Sequence, residues 1–249
     1  MVVADQATLT EQHRQAQLTI RAQALRDFAA VWPIWTGDEE SFRAFVTAVV
    51  VLVRAYRQIS AAAAAAYFDE FRLAASVEGS AVPALAAAID EAQVIASLFV
   101  TGRDGIRKAL AAGKSASEAR ATVFVRTSGA VTRHVVNGGR QTLIDSVQND
   151  PEALGWARIT DGDPCYFCLT LASRGAVYKT EQTASFEAHD HCGCTVIPVY
   201  KGTEIPGLAK WREIYNAAQN AAEADGTLMP GENSTAARLR AVRHHLELI

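Results

Sequence analysis

The chain of 249 residues has few aromatic side chains and no strong charge of either sign. Phe, Trp and Tyr together make up 8% of it, and the formal net charge is −3 at pH 7. A weakly acidic balance excludes a general electrostatic attraction to nucleic acid. The scarcity of aromatic residues beside abundant alanine favours helices over sheet, and the length is sufficient for one large domain or two modest ones.

The sequence also lacks a long hydrophobic run and an export signal. Its longest apolar stretch, 45–53, is interrupted by Thr47 and flanked by Arg43 and Arg54. This stretch is shorter than the ~20 residues that a membrane-spanning helix needs. The first 14 residues show no basic segment followed by an apolar one. These absences predict a protein that is made in the cytoplasm and is neither secreted nor bound to a membrane.

Cysteine is confined to one short stretch, 161–200, which contains all four cysteines of the chain and two of its six histidines. The residues form a C-x2-C pair followed by an H-x-H-C-x-C group: Cys165, Cys168, His189, His191, Cys192 and Cys194. Two thiolates at this spacing can face one point, and a second pair brought in by a turn completes a tetrahedron. The pattern therefore predicts a structural zinc site.

More ligands are present than a tetrahedral ion can take. Cys165, Cys168 and Cys192 enter every arrangement we consider, whereas Cys194, His189 and His191 compete for the remaining position. The candidate set is Cys165, Cys168, His189, Cys192 and Cys194. A site with no open position is typical of a structural metal rather than a catalytic one. Two alternatives remain at this point: a pair of disulfides, which needs an oxidising compartment, and four buried free thiols.

The stretch 156–200 resembles the C-terminal part of the phage Mu protein F-like minor head proteins. The shared features are the C-x2-C pair, a glycine-containing turn at 173–175, an H-x-x-C-x-C group at 189–194 and a strand that ends in proline. Asp190 and Gly193 depart from the Mu-type pattern and match the version found in phages and prophages of actinobacteria. The resemblance covers less than a third of the chain, and the N-terminal region resembles the family only in layout.

The resemblance implies a minor capsid protein that acts in head assembly, in the virion or procapsid. Its implied partners are the portal and other head proteins, with DNA as a further candidate. Relatives are sometimes described as capsid maturation proteases, which gives the alternative function. A serine protease would have to use Ser173 together with His189. Ser173 does not lie in a G-x-S-x-G motif, and His189 is also a candidate metal ligand. We therefore favour a non-enzymatic role, and the sequence indicates no small-molecule substrate.

Apolar periodicity predicts a mainly α fold with a small α+β metal-stapled domain. The predicted division is a helical N-terminal bundle at 1–150, a Cys/His module at 151–202 and a helical tail at 203–249. The predicted helices are 8–31, 39–75 with a break near Ser60, 83–98, 116–148 with a kink at Gly138 and Gly139, 166–173, 210–222 and 236–248. The predicted strands are 156–160, 177–179 and 194–200.

Two helices carry clusters of arginine. Arg133 and Arg140 lie in the predicted helix 116–148, and Arg240 and Arg243 lie in the last helix. These residues are the candidates for contact with DNA or an acidic partner. The alternative is that each cluster is a solvated helix face, and for the last helix the helix dipole itself favours cations at that end.

Overall fold

A computed structural model describes residues 5–160, 162, 164–176, 186, 188–229 and 234–248. The described residues include eight α-helices and two strands. Their bounds are α1 Gln6–Val31, α2 Glu39–Ala74, α3 Glu91–Leu98, α4 Asp104–Ala111, α5 Ala116–Asn149, β1 Gly155–Ile159, α6 Tyr166–Ala172, β2 Thr195–Val199, α7 Leu208–Ala224 and α8 Thr235–Leu248. The mainly α fold with a small α+β region is confirmed. The strand predicted at 177–179 lies outside the described residues.

Three long helices, α1, α2 and α5, form the body of the molecule. Each starts at a polar cap that satisfies amide groups of its first turn. Ser115 and Glu118 form the capping box that the S-x-x-E pattern predicts, and Asp5 and Asp38 cap α1 and α2. The caps fix where each helix begins. The apolar faces of the three helices meet in the interior of the bundle.

The end of this bundle nearest the α1–α2 junction has an aromatic core. Phe28 and Phe45 are fully buried, with ring centroids 6.0 Å apart. Trp32 and Trp35 lie edge to face at 5.5 Å beside them. The Trp-Pro-Ile-Trp junction therefore closes the end of the bundle. Most of the aromatic residues outside the Cys/His region are concentrated here.

The predicted kink at Gly138 and Gly139 is wrong, because α5 is continuous through both residues. The two glycines lie where α2 crosses α5 closely. A Cβ on Gly139 would be 2.8 Å from the Ser60 hydroxyl oxygen, and the Gly139 amide donates to that oxygen at 2.9 Å. The break predicted near Ser60 is also absent, because α2 is continuous from Glu39 to Ala74. The buried Ser60 hydroxyl also donates to Gln17 at 2.6 Å and so joins α1, α2 and α5.

The predicted helix 83–98 is helical only from Glu91 onward. The preceding segment runs along α5 without regular secondary structure. The Ala84 amide donates to Ser146 Oγ at 2.9 Å, and the Ala86 amide donates to Thr142 Oγ1 at 3.0 Å. The segment has several alanines, which favour a helix, but side chains one turn apart on α5 satisfy its amides instead.

Strands β1 and β2 form one antiparallel pair, in which Gly155 faces Val199 and Ile159 faces Thr195. Every residue of both strands is buried. Their side chains share a core with α2 and α5, in which Phe68, Phe71 and Leu143 are fully buried. The sheet thus packs directly on the helical bundle. The predicted boundaries at 150 and 202 stay predictions.

Helices α7 and α8 pack against each other and against α6. The contact is apolar and involves Leu169, Trp211 and Val242, which are all buried. Gly175 closes α6 in the left-handed conformation with φ of 69°. The helical tail therefore covers the helix that carries the first cysteine pair.

Helix α2 is long and apolar enough to cross a membrane, by length and composition only. Core helices of globular proteins meet the same criterion. In this fold α2 is the central helix of the bundle, and its buried face contacts α1 and α5.

Candidate metal centre

The five candidate ligands come together at one place. Cys165 is the N-cap of α6, so one helical turn brings Cys168 beside it. Cys192 closes the turn 189–192, Cys194 directly precedes β2, and both reach the same point. Three of the cysteines are buried, Cys165 is half-buried and His189 is exposed. The site therefore has a buried side of sulfur atoms and a side that opens to solvent.

The ligand atoms form two groups that share Cys168. One group is Cys165, Cys168 and His189, and the other is Cys168, Cys192 and Cys194. Within each group the atoms lie within 4.8 Å of one another. Cys168 Sγ is 3.6 Å from both His189 Nε2 and Cys192 Sγ. Two sulfur ligands, each about 2.3 Å from one ion, lie at most about 4.6 Å apart, so these separations suit a shared ion. The two groups could hold a metal ion.

The two histidines of the H-x-H group have different positions. His189 Nδ1 donates to the carbonyl oxygen of Asp190 at 2.7 Å, which leaves Nε2 as a lone-pair atom 2.9 Å from Cys165 Sγ. A hydrogen bond of this kind fixes the tautomer of metal-binding histidines. His191 points the other way, and its Nε2 donates to the carbonyl oxygen of Val125 in α5 at 3.1 Å. His189, and not His191, therefore lies in a group of residues that could hold a metal ion.

Gly129 has no side chain and so allows the turn before β2 to pack closely against α5. A Cβ at this position would be 2.5 Å from His191 Nε2 and 2.9 Å from the Cβ of Asp190. Arg133, one helical turn further along α5, donates to Asp190 Oδ1 at 2.8 Å. His191 itself has a left-handed backbone, with φ of 66°. These contacts hold the turn in the orientation that directs His189 toward the cysteines.

Close contact among the four cysteines shifts the pKa values of their thiols in different directions. Hydrogen bonds with Cys168 lower the pKa of Cys165 to about 5 and also lower the pKa of Cys192. The same contacts raise the pKa of Cys168. The contact with Cys168 lowers the pKa of Cys194, but Cys192 and burial outweigh it and raise the value to about 12. The arrangement favours two thiolates beside two thiols, because four adjacent thiolates repel one another unless a cation is bound.

The chemistry of the ligand set suits zinc. Thiolate and imidazole are the ligands of structural zinc sites, and all four cysteines are free thiols in this structure. No disulfide joins any two of them, so the structure does not support the alternative of two disulfides. An ion here would offset part of the negative charge of the thiolates and join α6 to the start of β2.

Two buried arginines support the site, and neither was assigned this position from the sequence. Arg140 is 3% exposed and donates to the carbonyl oxygens of Cys192 and Cys194. Arg158 is 2% exposed, and its guanidinium lies 3.8 Å from Cys168 Sγ. The prediction that Arg140 contacts DNA or a partner is therefore wrong, because its guanidinium is buried and already bonded. A sequence signal existed: Arg140 follows Val136 by four residues and precedes Leu143 by three, which places it on the apolar face of α5.

The other arginines predicted to bind a partner are near the surface. Arg133 forms the ion pair with Asp190 and retains 26% exposure of its side chain. Arg240 is exposed on α8, and Arg243 pairs with Glu247 at 3.0 Å. Their contact with DNA or a partner stays a prediction.

Ser173 is not positioned as a nucleophile. It is 7% exposed, and its hydroxyl donates to the carbonyl oxygen of Thr170 at 2.9 Å. Among the described residues it forms no hydrogen bond with His189 or His191, whose Nε2 atoms face Cys165 and Val125. The protease alternative gains no support from this geometry.

Comparison with known proteins identifies the family of the chain. A family model described as VG15 protein matches residues 4–218, which include both strands and all five candidate ligands. The chain belongs to the VG15 protein family. The match ends within α7, so α8 lies beyond it.

A curated relative agrees with this assignment. The Gene 15 protein of Mycobacterium phage D29 is 28% identical over 145 residues, which cover 45% of this chain and 51% of that protein. The chain thus spans about half the length of this curated relative. No solved structure matches the chain. Neither match is to a Mu F-like protein, so that resemblance stays a prediction.

Proposed function

We propose that this VG15 chain is a minor capsid protein of a phage or prophage, with a structural or interaction role in head morphogenesis. In this proposal, four of the five clustered ligands hold one zinc ion that fixes the Cys/His region on the helical bundle. The portal and other head proteins are the proposed partners, DNA is a further candidate, and the protein is carried in the virion or procapsid.

The observation that carries the proposal is the convergence of Cys165, Cys168, His189, Cys192 and Cys194 within a chain of this family. These are the residues on which the resemblance to Mu F-like minor head proteins depends. The relative from Mycobacterium phage D29 supports a phage origin. A site made of thiolates and one imidazole suits a cross-link rather than catalysis, because such ligand sets hold zinc in closed structural sites.

A cross-link at this point would have a clear mechanical effect. Within the part of the chain that the structure describes, the sheet has two strands, and α6 packs mainly against the tail helices and β1. Zinc would connect α6 to the start of β2 by bonds that do not depend on a large apolar area. A small region stabilised in this way can present a fixed surface to neighbouring head proteins.

Metal content of the purified chain tests the zinc site first. We expect one zinc per chain in the wild type by elemental analysis and none in Cys168→Ser, because Cys168 belongs to both ligand groups. His191→Asn is the matched control: it alters the other histidine of the H-x-H group, and asparagine tolerates the left-handed backbone there. It should keep one zinc. Zinc loss in both variants, or in neither, would refute the proposed site.

X-ray absorption at the zinc edge identifies the ligands. Zn–S distances are about 2.3 Å and Zn–N distances about 2.0–2.1 Å, so one nitrogen among three sulfurs is distinguishable from four sulfurs. His189→Gln and Cys194→Ser, measured side by side, show which of these two residues completes the shell.

Quantitative mass spectrometry of purified particles tests the capsid role. We expect to detect the chain in particles of the phage or prophage that encodes it, at far fewer copies than the major capsid protein. Particles that assemble, package DNA and infect without the chain would contradict a role in head morphogenesis, whatever the metal content.

A further inference from the structure

We propose that Arg140 is a positioning residue of the metal centre, which sets zinc affinity by compensating thiolate charge and by holding the Cys192–Cys194 backbone. This inference rests on the proposed zinc site and extends it to a residue outside the ligand set. Nothing in the motif of cysteines and histidines contains this arginine, which lies more than 50 positions before Cys192 in the chain.

The hydrogen bonds of Arg140 are directed at the second cysteine pair. Its Nε donates to the carbonyl oxygen of Cys194 at 2.9 Å, and one terminal nitrogen donates to the carbonyls of Cys192 and Cys194 at 2.7 and 2.8 Å. The other terminal nitrogen donates to Asn137 Oδ1 at 2.8 Å. One guanidinium thus spans both ends of the Cys192-Gly193-Cys194 turn and determines how its two sulfur atoms are presented.

The charge of Arg140 has its nearest counterpart in the cysteines. The side chain is buried, and among the described residues it forms no ion pair with a carboxylate. Burial of a lone cation is costly, so buried cations are normally paired. A divalent ion with four thiolates carries a net charge of −2, and with three thiolates −1. Either centre would provide a counter-charge that no carboxylate of the described residues supplies to Arg140.

A second buried guanidinium also lies at the cluster. Arg158 from β1 approaches Cys168 Sγ, and the ring of Phe186 lies 4.7 Å from the Arg140 guanidinium carbon and 3.7 Å from that of Arg158. Both cations thus contact one aromatic ring beside the sulfur cluster.

Four variants of the full chain separate a specific effect on the metal from a general effect on stability. Arg140→Met removes charge and hydrogen bonds, and Arg140→Lys keeps the charge alone. Asn137→Ala removes only the hydrogen bond that orients Arg140. Arg72→Met is the matched control, since Arg72 is also buried and bonded to backbone carbonyls but lies by the opposite end of β2, where its partner Asp150 accepts from Tyr200.

Zinc affinity, measured by competition with a chelator, is the main readout, and the cobalt(II) absorption spectrum at saturation is the second. We expect Arg140→Met to weaken zinc binding by about 10- to 100-fold, as for other residues that support metal ligands, and to shift the cobalt bands. Arg140→Lys should recover part of the affinity, and Asn137→Ala should show a smaller loss. Arg72→Met should lower the melting temperature but leave affinity and spectrum unchanged.

The possible outcomes are distinguishable. Wild-type affinity in Arg140→Met, or an equal loss in Arg72→Met, would overturn the role of Arg140 while leaving the zinc site intact. If Arg140→Met does not fold, wild-type affinity in both Arg140→Lys and Asn137→Ala would overturn it as well. A wild-type chain that binds no zinc would overturn the proposed site and this inference together.

Discussion

Gly138 of α5 faces the backbone of Arg57 in α2, so closely that a Cβ at 138 would overlap the Arg57 carbonyl oxygen and lie 2.7 Å from the Arg57 Cγ. The two helices therefore touch backbone to backbone at this point. On one side of this crossing α5 contributes to the aromatic core. On the other side it packs against the sheet and carries Arg140. The glycine is required by this approach, not by helix flexibility.

Replacement of this glycine should destabilise the fold. We expect Gly138→Ala to lower the free energy of unfolding by at least about 1–3 kcal/mol, the usual cost of overpacking, because the obstacle is backbone and cannot turn aside. Urea unfolding measures the change. The control is Gly102→Ala, whose Cβ would meet only the Phe42 and Trp35 rings at 3.6 Å, an ordinary contact. Equal losses in the two variants would show that the crossing is not the cause.

A buried ion pair joins the ends of the two longest helices to β2. Arg72 Nε donates to Asp150 Oδ2 at 3.0 Å, and the hydroxyl of Tyr200 donates to the same oxygen at 2.9 Å. Both charged side chains are at most 9% exposed. Because Asp150→Ala would leave Arg72 buried without its counter-ion, we expect a loss of about 3–5 kcal/mol in the free energy of unfolding, measured by chemical denaturation.

A surface ion pair provides the comparison. Glu247 accepts from Arg243 at 3.0 Å on α8, and both side chains are at least 60% exposed. Pairs of this kind contribute only about 0.3–0.5 kcal/mol, so Glu247→Gln should leave the unfolding curve nearly unchanged. An Asp150→Ala variant as stable as Glu247→Gln would mean that the buried pair contributes no more than a solvated one.

Much of the helical framework was predictable, because its signals are local. The capping box at Ser115, the apolar periodicity of α2 and the Trp-Pro-Ile-Trp junction each fix an element from neighbouring residues alone. The errors occurred where a distant partner decides the local conformation. Gly138 and Gly139 are typical of a kink in isolation, but they permit a helix crossing because α2 lies against them. The extended segment 83–90 depends on hydroxyl groups that lie over 50 residues away.

In the candidate site, too, some features follow from neighbouring residues and others depend on distant ones. The spacing of the cysteines predicted their convergence, because the ligands are close in sequence. The choice between His189 and His191 could not be made from the H-x-H pattern. It depends on Gly129 and Val125 of α5, which receive the His191 side chain and turn it away from the cysteines. Arg140 was assigned to the surface because its charge was read without its apolar neighbours on the same helix face.

Buried His13 should make the fold sensitive to acid. Its ring stacks on Tyr67 at 4.4 Å, its Nε2 lies 3.2 Å from Thr195 Oγ1, and burial lowers its pKa from 6.5 to about 3. Between these two values the unfolded chain binds the proton and the folded chain does not. The free energy of unfolding therefore falls as pH falls from 6.5 toward 3, by up to about 1.4 kcal/mol per pH unit from this residue.

His13→Gln should remove that part of the pH dependence. The measurement is the free energy of unfolding from pH 7 to pH 4 for the variant and the wild type, both with and without excess zinc. Zinc release in acid affects both proteins, so their difference isolates His13. His244→Gln, at an exposed histidine of α8, should run parallel to the wild type. Parallel curves for His13→Gln as well would contradict the prediction.

Thr142 and Ser146 should control the order of the segment before α3. Thr142→Val with Ser146→Ala removes both hydroxyl acceptors for the amides of Ala84 and Ala86, at a cost of about 0.5–1.5 kcal/mol for each lost bond. Hydrogen exchange at these two amides should accelerate more than exchange in α2, because the segment has no regular backbone ladder to replace the bonds. Thr47→Val is the control, since its hydroxyl donates only to the Arg43 carbonyl within α2. Unchanged exchange at both amides in the double variant would show that apolar contacts alone hold the segment on α5.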